Sequence, residues 1–223
     1  MKRTFIKFCG FQTLSDVNKA VAFDIDAIGF ICVPNRRRTV TETKLRELVK
    51  NIPNQIKTVG VLMNPTVELV AHWLSIAPFS AIQLHGEESP QFCRELKERF
   101  RSIQIIKAFH LETTIVQEQW NIEPYFEWID VALFDASFKG KKGGTGKRFD
   151  WTQIPDYAKI CHEVQLPFWV AGGIDPSNVA HLVETYQPDG IDVSSGIEQN
   201  GVKDQDRMKA IMEKVRQIDN NLC

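Results

Sequence analysis

Short runs of apolar and β-branched residues alternate with longer stretches whose apolar positions recur at helical spacing, from one end of the chain to the other. The runs Thr4–Phe8, Ala27–Cys32, Lys57–Leu62, Ala81–Leu84, Ile103–Ala108, Val131–Asp135, Phe168–Ala171 and Gly190–Val193 read as strands. Between and after them, Leu14–Phe23, Thr41–Lys50, Val67–Ile76, Pro90–Phe100, a weaker Thr114–Trp120, Trp151–Val164, Asn178–Tyr186 and Asp204–Ile218 read as helices. The strands lack polar alternation, the pattern of a parallel sheet buried on both faces. Helices at this spacing supply the crossovers. Start signals agree: Thr41 can cap the second helix, Ser89 precedes Pro90 at a first helical position, and Asp175-Pro176-Ser177-Asn178 leads into another.

Eight strand–helix units in 223 residues favour closure into a single (β/α)8 barrel, a TIM barrel spanning residues 1–223, over an open doubly wound sheet. Hydrophobic residues make up 43% and charged residues 25%, ordinary for a globular domain with a full core. A net charge of −1 gives no global field toward nucleic acid or an acidic membrane, so neither is expected as a partner. The apolar runs are strand-sized, shorter than a signal peptide or a membrane span demands. The five cysteines are odd in number, widely spaced and without a C-x-x-C pair. Reduced thiols and a cytoplasmic location are therefore expected.

A barrel places its chemistry at the carboxyl ends of the strands. That rule selects Cys9-Gly10, Pro34 to Arg38, His85-Gly86-Glu87, Asp135 with the loop Gly143-Gly144-Thr145-Gly146, Ala171-Gly172-Gly173 and Ser194-Ser195-Gly196. The last three groups suit a phosphate. Glycine lets the backbone approach, and amide N–H groups at a helix start point at an anion. Gly144, Gly172, Gly173, Ser194 and Ser195 are the expected phosphate ligands, although each glycine pair alone would serve a tight turn. No P-loop or dinucleotide fingerprint is present, because Lys147 is followed by Arg148 and no G-x-G-x-x-G follows the first strand. Cys161 and His162 are adjacent on a helix and diverge. His72, His110 and His181 have no ligand-spaced partner and read as surface or structural, so no metal is expected.

In order along the chain, several segments resemble the phosphoribosylanthranilate isomerase family of tryptophan biosynthesis. They are Lys7-Phe8-Cys9-Gly10, Gln83-Leu84-His85-Gly86-Glu87-Glu88-Ser89, Leu133-Phe134-Asp135, Gly143 to Lys147, Phe149-Asp150-Trp151, Ala171-Gly172-Gly173 with Asn178-Val179, Gly190 to Glu198, and Lys203-Asp204. The resemblance implies an Amadori rearrangement of N-(5-phosphoribosyl)anthranilate to 1-(2-carboxyphenylamino)-1-deoxyribulose 5-phosphate, with no cofactor. It also implies Asp135 as general acid, Cys9 as general base and Arg38 as the partner of the anthranilate carboxylate. Arg36 and Arg37 depart from the small residue and proline usual before that arginine. Phe11 to Leu14 replaces a more polar family segment. His85, ending the fourth strand, either contacts substrate or hydrogen-bonds the rim.

A carboxyl acid must stay protonated near neutral pH, and a thiol base needs a positive neighbour. Lys7 and Cys9 lie two apart on one strand, so both can face the barrel interior. Asp192 lies on the strand that closes the barrel. A buried Lys7–Asp192 pair under the site is therefore expected, with Lys7 either favouring the Cys9 thiolate or only filling the lower barrel and satisfying Asp192. Gln83 is expected to point inward as a satisfied polar group. Two alternatives stand beside the isomerase: a barrel with ProFAR-isomerase-like specificity, and a barrel that binds a phosphorylated metabolite without turning it over. The first typically ends strand one in an aspartate, where this chain has Cys9. A monomer or a homodimer would suit either.

Overall fold

Eight parallel strands pair in sequence order and close on themselves: β1 (Phe5–Cys9), β2 (Ala27–Ile31), β3 (Lys57–Leu62), β4 (Ala81–Leu84), β5 (Gln104–His110), β6 (Val131–Asp135), β7 (Phe168–Ala171) and β8 (Gly190–Val193). The computed structural model describes residues 3–110, 122–135 and 151–221. The helices α1 (Leu14–Ala20), α2 (Glu42–Val49), α3 (Val67–Ile76), α4 (Pro90–Arg99), α5 (Ile154–Glu163), α6 (Val179–Tyr186) and α7 (Gln205–Asn221) follow the strands. The expected weak helix at Thr114–Trp120 lies outside the described residues, as does Gly144 with its glycine-rich loop.

Strand alternation divides the buried residues into two cores. Ala27, Val59, Ala81, Ile106, Leu133 and Trp169 fill the barrel, with the Trp169 ring stacked on Phe5 at 4.5 Å. Ile6, Phe8, Phe30, Phe134 and Phe168 face outward and pack with helix residues such as Leu45, Val70 and Met208. The helices start where hydroxyl side chains can accept an amide proton. Thr13, Thr41, Thr66 and Ser89 accept from Asp16, Lys44, Leu69 and Phe92, with Pro90 opening α4. The expected cap before α6 takes another form: Asp175 accepts from Ser177, and Asn178 makes no side-chain cap.

One buried ion pair anchors the loop that carries the end of β4. Lys107 lies on the helix-facing side of β5 and meets Glu88 at 3.0 Å. Lys107 also donates to the Gly86 carbonyl at 2.8 Å, while Glu88 accepts from the amides of Asn64 and Gly86. Each buried charge is thus both paired and hydrogen-bonded, the condition under which burial is tolerable. The chain segment that holds His85 is tied down from behind.

Candidate active site

The carboxyl ends of the strands enclose a cleft of about 420 Å³. Cys9, Arg38, His85, Asp135, Gly172, Gly173, Ser194 and Ser195 all line it, together with Arg36, Gln83 and Asp192. Among the expected site residues, Gly144 alone falls outside the described residues.

Cys9 ends β1 and is 5% exposed. Its thiol stands close to β2. A Cβ placed on Gly29 would lie 2.7 Å from the sulfur, so glycine at that position makes room for the thiol. Beneath it, Lys7 and Asp192 are register partners across the β1–β8 seam that closes the barrel. Lys7 Nζ donates to Asp192 Oδ2 at 2.7 Å and is fully buried. Burial is the largest influence and would lower the Lys7 ammonium, but the Asp192 charge, the Cys9 sulfur and the hydrogen bonds to both together outweigh it, and the net direction is up. The same balance runs the other way at Cys9. Burial raises the thiol and outweighs the downward pull of Lys7, so its net direction is up. The expected pull from Lys7 is present, but it does not make a resting thiolate.

Across the mouth, Asp135 ends β6, buried, with His85 Nε2 at 3.1 Å from its Oδ2. Gln83 links the two sides of the mouth. Its Nε2 lies 3.3 Å from Asp192 Oδ2 and 3.3 Å from His85 Nδ1. With that nitrogen as donor, Nδ1 of a neutral His85 accepts and Nε2–H points at Asp135. Gln83 points inward as expected but is not fully satisfied, because its Oε1 has no hydrogen-bond partner among the described residues. His110 corrects another expectation. β5 runs two residues past the anticipated Ala108, which sets His110 beside Asp135 in register and 4.8 Å, ring to ring, from His85. It belongs to the rim of the site, half-buried, so the structural alternative holds over the surface one, and His85 and Asp135 are the ligand-type neighbours that the sequence did not show.

At the β8 side, Gly172 and Gly173 take φ of +86° and +66°. A side chain at Gly173 would meet nothing within 4 Å, so the left-handed backbone, and not space, demands glycine there. Ser194 and the short 3₁₀ turn Ser195–Ile197 follow β8. Beyond this turn a small antiparallel pair, Glu198–Gln199 with Val202–Lys203, carries two residues whose roles the sequence did not disclose. Lys203, 4% exposed, donates to the carbonyls of Cys9 (2.7 Å) and Ser194 (2.9 Å), tying the ends of β1 and β8 together. Glu198 takes Lys203 at 3.0 Å and grips Arg38 with both oxygens, at 2.5 and 2.9 Å; it also pairs with Arg37. Arg38 therefore enters the cleft with its Nε edge already held. Arg36 lines the same cleft with no acidic partner among the described residues.

Burial raises the Glu198 carboxyl, but the hydrogen bond from Arg38 and the charge of Lys203 outweigh it and hold it at about 2. A depressed folded-state value adds stability that is fully present above the ordinary carboxylate range. It is lost as pH falls toward 2. Urea midpoints should therefore drop between pH 5 and pH 3 in the wild type, and Glu198→Gln should reduce that drop. Equal slopes in the two proteins would contradict the assignment.

Comparison with known proteins agrees with this geometry. The family model described as N-(5'phosphoribosyl)anthranilate (PRA) isomerase matches residues 6–214. An N-(5'-phosphoribosyl)anthranilate isomerase of Crocosphaera subtropica is 36% identical over 96% of this chain and 99% of its own. One from Staphylococcus aureus is 37% identical over 95% and 96%. The solved phosphoribosyl anthranilate isomerase of Thermotoga maritima superposes with a TM-score of 0.79 at 29% identity, over 96% of this chain and 99% of that one. A further solved member of that enzyme class, in complex with reduced 1-(o-carboxyphenylamino)-1-deoxyribulose 5-phosphate, superposes with a TM-score of 0.77 at 28% identity, over 96% and 99%. With the family model spanning nearly the whole barrel, and relatives above 35% identity along almost their full length, this chain belongs to the N-(5'-phosphoribosyl)anthranilate isomerase family.

Proposed function

We propose that this single barrel converts N-(5-phosphoribosyl)anthranilate to 1-(2-carboxyphenylamino)-1-deoxyribulose 5-phosphate in the cytoplasm, with Asp135 as general acid and Cys9 as general base. The observation that carries the proposal is the meeting of that thiol and that carboxyl in one cleft of a family member, with the glycine rim of β7 and the hydroxyls of β8 beside them. The free state of the four described cysteines fits a reducing compartment.

The sugar phosphate sits at Gly172, Gly173, Ser194 and Ser195, the end of the barrel where phosphate sites recur. Gly144 would close over it from the sixth loop. Arg38, held along one edge by Glu198, offers its remaining edge to the anthranilate carboxylate. Pinned at both ends, the ribose lies between Asp135 and Cys9. Asp135 gives its proton to the ring oxygen, the bond from that oxygen to C1′ breaks, and the nitrogen lone pair forms an iminium. His85 Nε2–H, 3.1 Å away, can then donate to the carboxylate that this transfer leaves on Asp135. The positive charge now beside Cys9 supplies what Lys7 alone does not: it favours the thiolate against burial. With its own proton released to solvent, the thiolate removes the C2′ proton to give the enolamine. That species loses its hydroxyl proton and gains one at C1′ to reach the ketone, and proton exchange restores both groups.

Mixing the purified protein with freshly made phosphoribosylanthranilate should abolish anthranilate fluorescence at an enzymatic rate, with no added metal or organic cofactor. ProFAR in the same assay should turn over far more slowly. Binding of both compounds without turnover of either would overturn the proposal.

A further inference from the structure

Three ligand-type side chains converge on the β4–β6 side of the mouth. His85 follows β4, His110 closes β5 and Asp135 closes β6. One nitrogen from each imidazole and one carboxylate oxygen all lie within 4.8 Å of one another. The His85–Asp135 edge is 3.1 Å, and the two imidazoles meet edge to face. His110 Nε2–H donates to the His85 carbonyl at 3.0 Å, so a neutral His110 keeps its lone pair on Nδ1.

We propose that His85, His110 and Asp135 form a binding site for a zinc-class divalent cation, and that a cation held there inhibits the enzyme by occupying its acid. The binding part stands on geometry; the inhibitory part rests on the role proposed above for Asp135. Two imidazoles and one carboxylate are the ligand set of open tetrahedral zinc sites. Bonds of about 2.0–2.1 Å set ligand-to-ligand edges near ~3.3 Å. The His85–Asp135 edge already has that length. The widest separation must close by about 1.5 Å, which side-chain rotation of two half-buried histidines can supply. The fourth position opens to the cleft that His85 and Asp135 line. Magnesium, which demands near-octahedral oxygen ligation, fits poorly.

The neighbouring residues favour the same occupant. Zinc on His85 Nε2 moves the ring proton to Nδ1, next to Gln83. The Gln83 Oε1, buried and without a partner among the described residues, can accept that proton after a turn of its amide. Outer partners of this kind orient zinc-binding imidazoles. The cation then replaces the proton on Asp135, and the carboxylate has none to give. Lewis-acid help at the ring oxygen would need the acid to be dispensable, which the reading above denies.

The test is competition between the metal-free full chain and a chromophoric zinc chelator. One equivalent of zinc should bind, and magnesium at the same concentration should not compete. His110→Gln, with His110→Leu as a second variant and circular dichroism to verify the fold of both, should weaken zinc at least tenfold. Cys9→Ala should bind zinc as the wild type does. Turnover should fall over the zinc range in which binding occurs, recover with EDTA, and need at least tenfold more zinc in His110→Gln. Absence of a bound equivalent, or unchanged affinity in both folded His110 variants, would overturn the site. Zinc bound through His110 with turnover unaffected would overturn the inhibitory part while the site itself stands.

Discussion

Cys9→Ala and Asp135→Asn are each expected to lower turnover by a factor of about 10² to 10⁴, the range a positioned acid or base contributes. Neither change should unfold the barrel. Cys9→Ala removes one buried sulfur at the mouth, and Asp135→Asn keeps the shape that His85 meets at 3.1 Å. The two losses should differ in kind. Without the acid, ring opening fails and no iminium forms. Without the base, ring opening proceeds and the C2′ proton stays. A C2′-deuterated substrate should therefore react more slowly than the protiated one only where proton removal limits the rate. Stopped-flow fluorescence with both variants checks this, and undiminished turnover in either would remove that residue from the chemistry.

Lys7→Met should raise the Cys9 thiol further, and by enough to read directly. Lys7 is the strongest influence opposing burial at that sulfur. A thiol that titrates above the assay pH loses thiolate in proportion as its pKa climbs. The rate of Cys9 alkylation by iodoacetamide, followed on the Cys9 peptide by mass spectrometry, should fall at pH 8. Removing Lys7 alone also strands the buried Asp192 charge, at a stability cost of about 3–5 kcal/mol. The double variant Lys7→Met/Asp192→Asn also removes the Asp192 charge, which raises the thiol, so stability should partly recover and alkylation should fall by less than in Lys7→Met alone. An unchanged alkylation rate in folded Lys7→Met would leave Lys7 a space-filling partner of Asp192 and nothing more. For kcat/KM, the sign is that activity rises with pH as the thiolate fraction grows, and Lys7→Met moves that rise to higher pH.

What the chain discloses without coordinates follows from what is local. Strand parity places Lys7, Cys9, Gln83 and Asp135 inward, because alternate residues of a strand share a face, and the barrel rule then collects the strand ends into one mouth. Lys7 and Asp192 can be paired in advance because the first and last strands of a closed barrel must be neighbours. The residues that escape act over distances no local pattern encodes. Glu198 reaches Arg38 from 160 residues away, through a two-residue hairpin too short to show a period. Lys203 holds the ends of β1 and β8 by donating to carbonyls, which leave no mark in the side-chain pattern. His110 escapes because β5 outruns its apolar stretch. Pairing of Phe109 with Phe134 and of His110 with Asp135 extends the strand where hydrophobicity signals its end. In sequence, only the resemblance singles Arg38 out of the triple arginine. In the folded chain Glu198 sorts it, pairing Arg37 and Arg38 and leaving Arg36 without an acidic partner among the described residues.

A crystal structure of this protein with reduced 1-(o-carboxyphenylamino)-1-deoxyribulose 5-phosphate would test the whole arrangement at once. The phosphate should lie against the backbone of Gly172 and Gly173 and the hydroxyls of Ser194 and Ser195, the carboxylate against Arg38, and the C1′–C2′ bond between the Cys9 sulfur and the Asp135 carboxyl. A phosphate bound away from that rim, or a ribose chain out of reach of either Cys9 or Asp135, would contradict it.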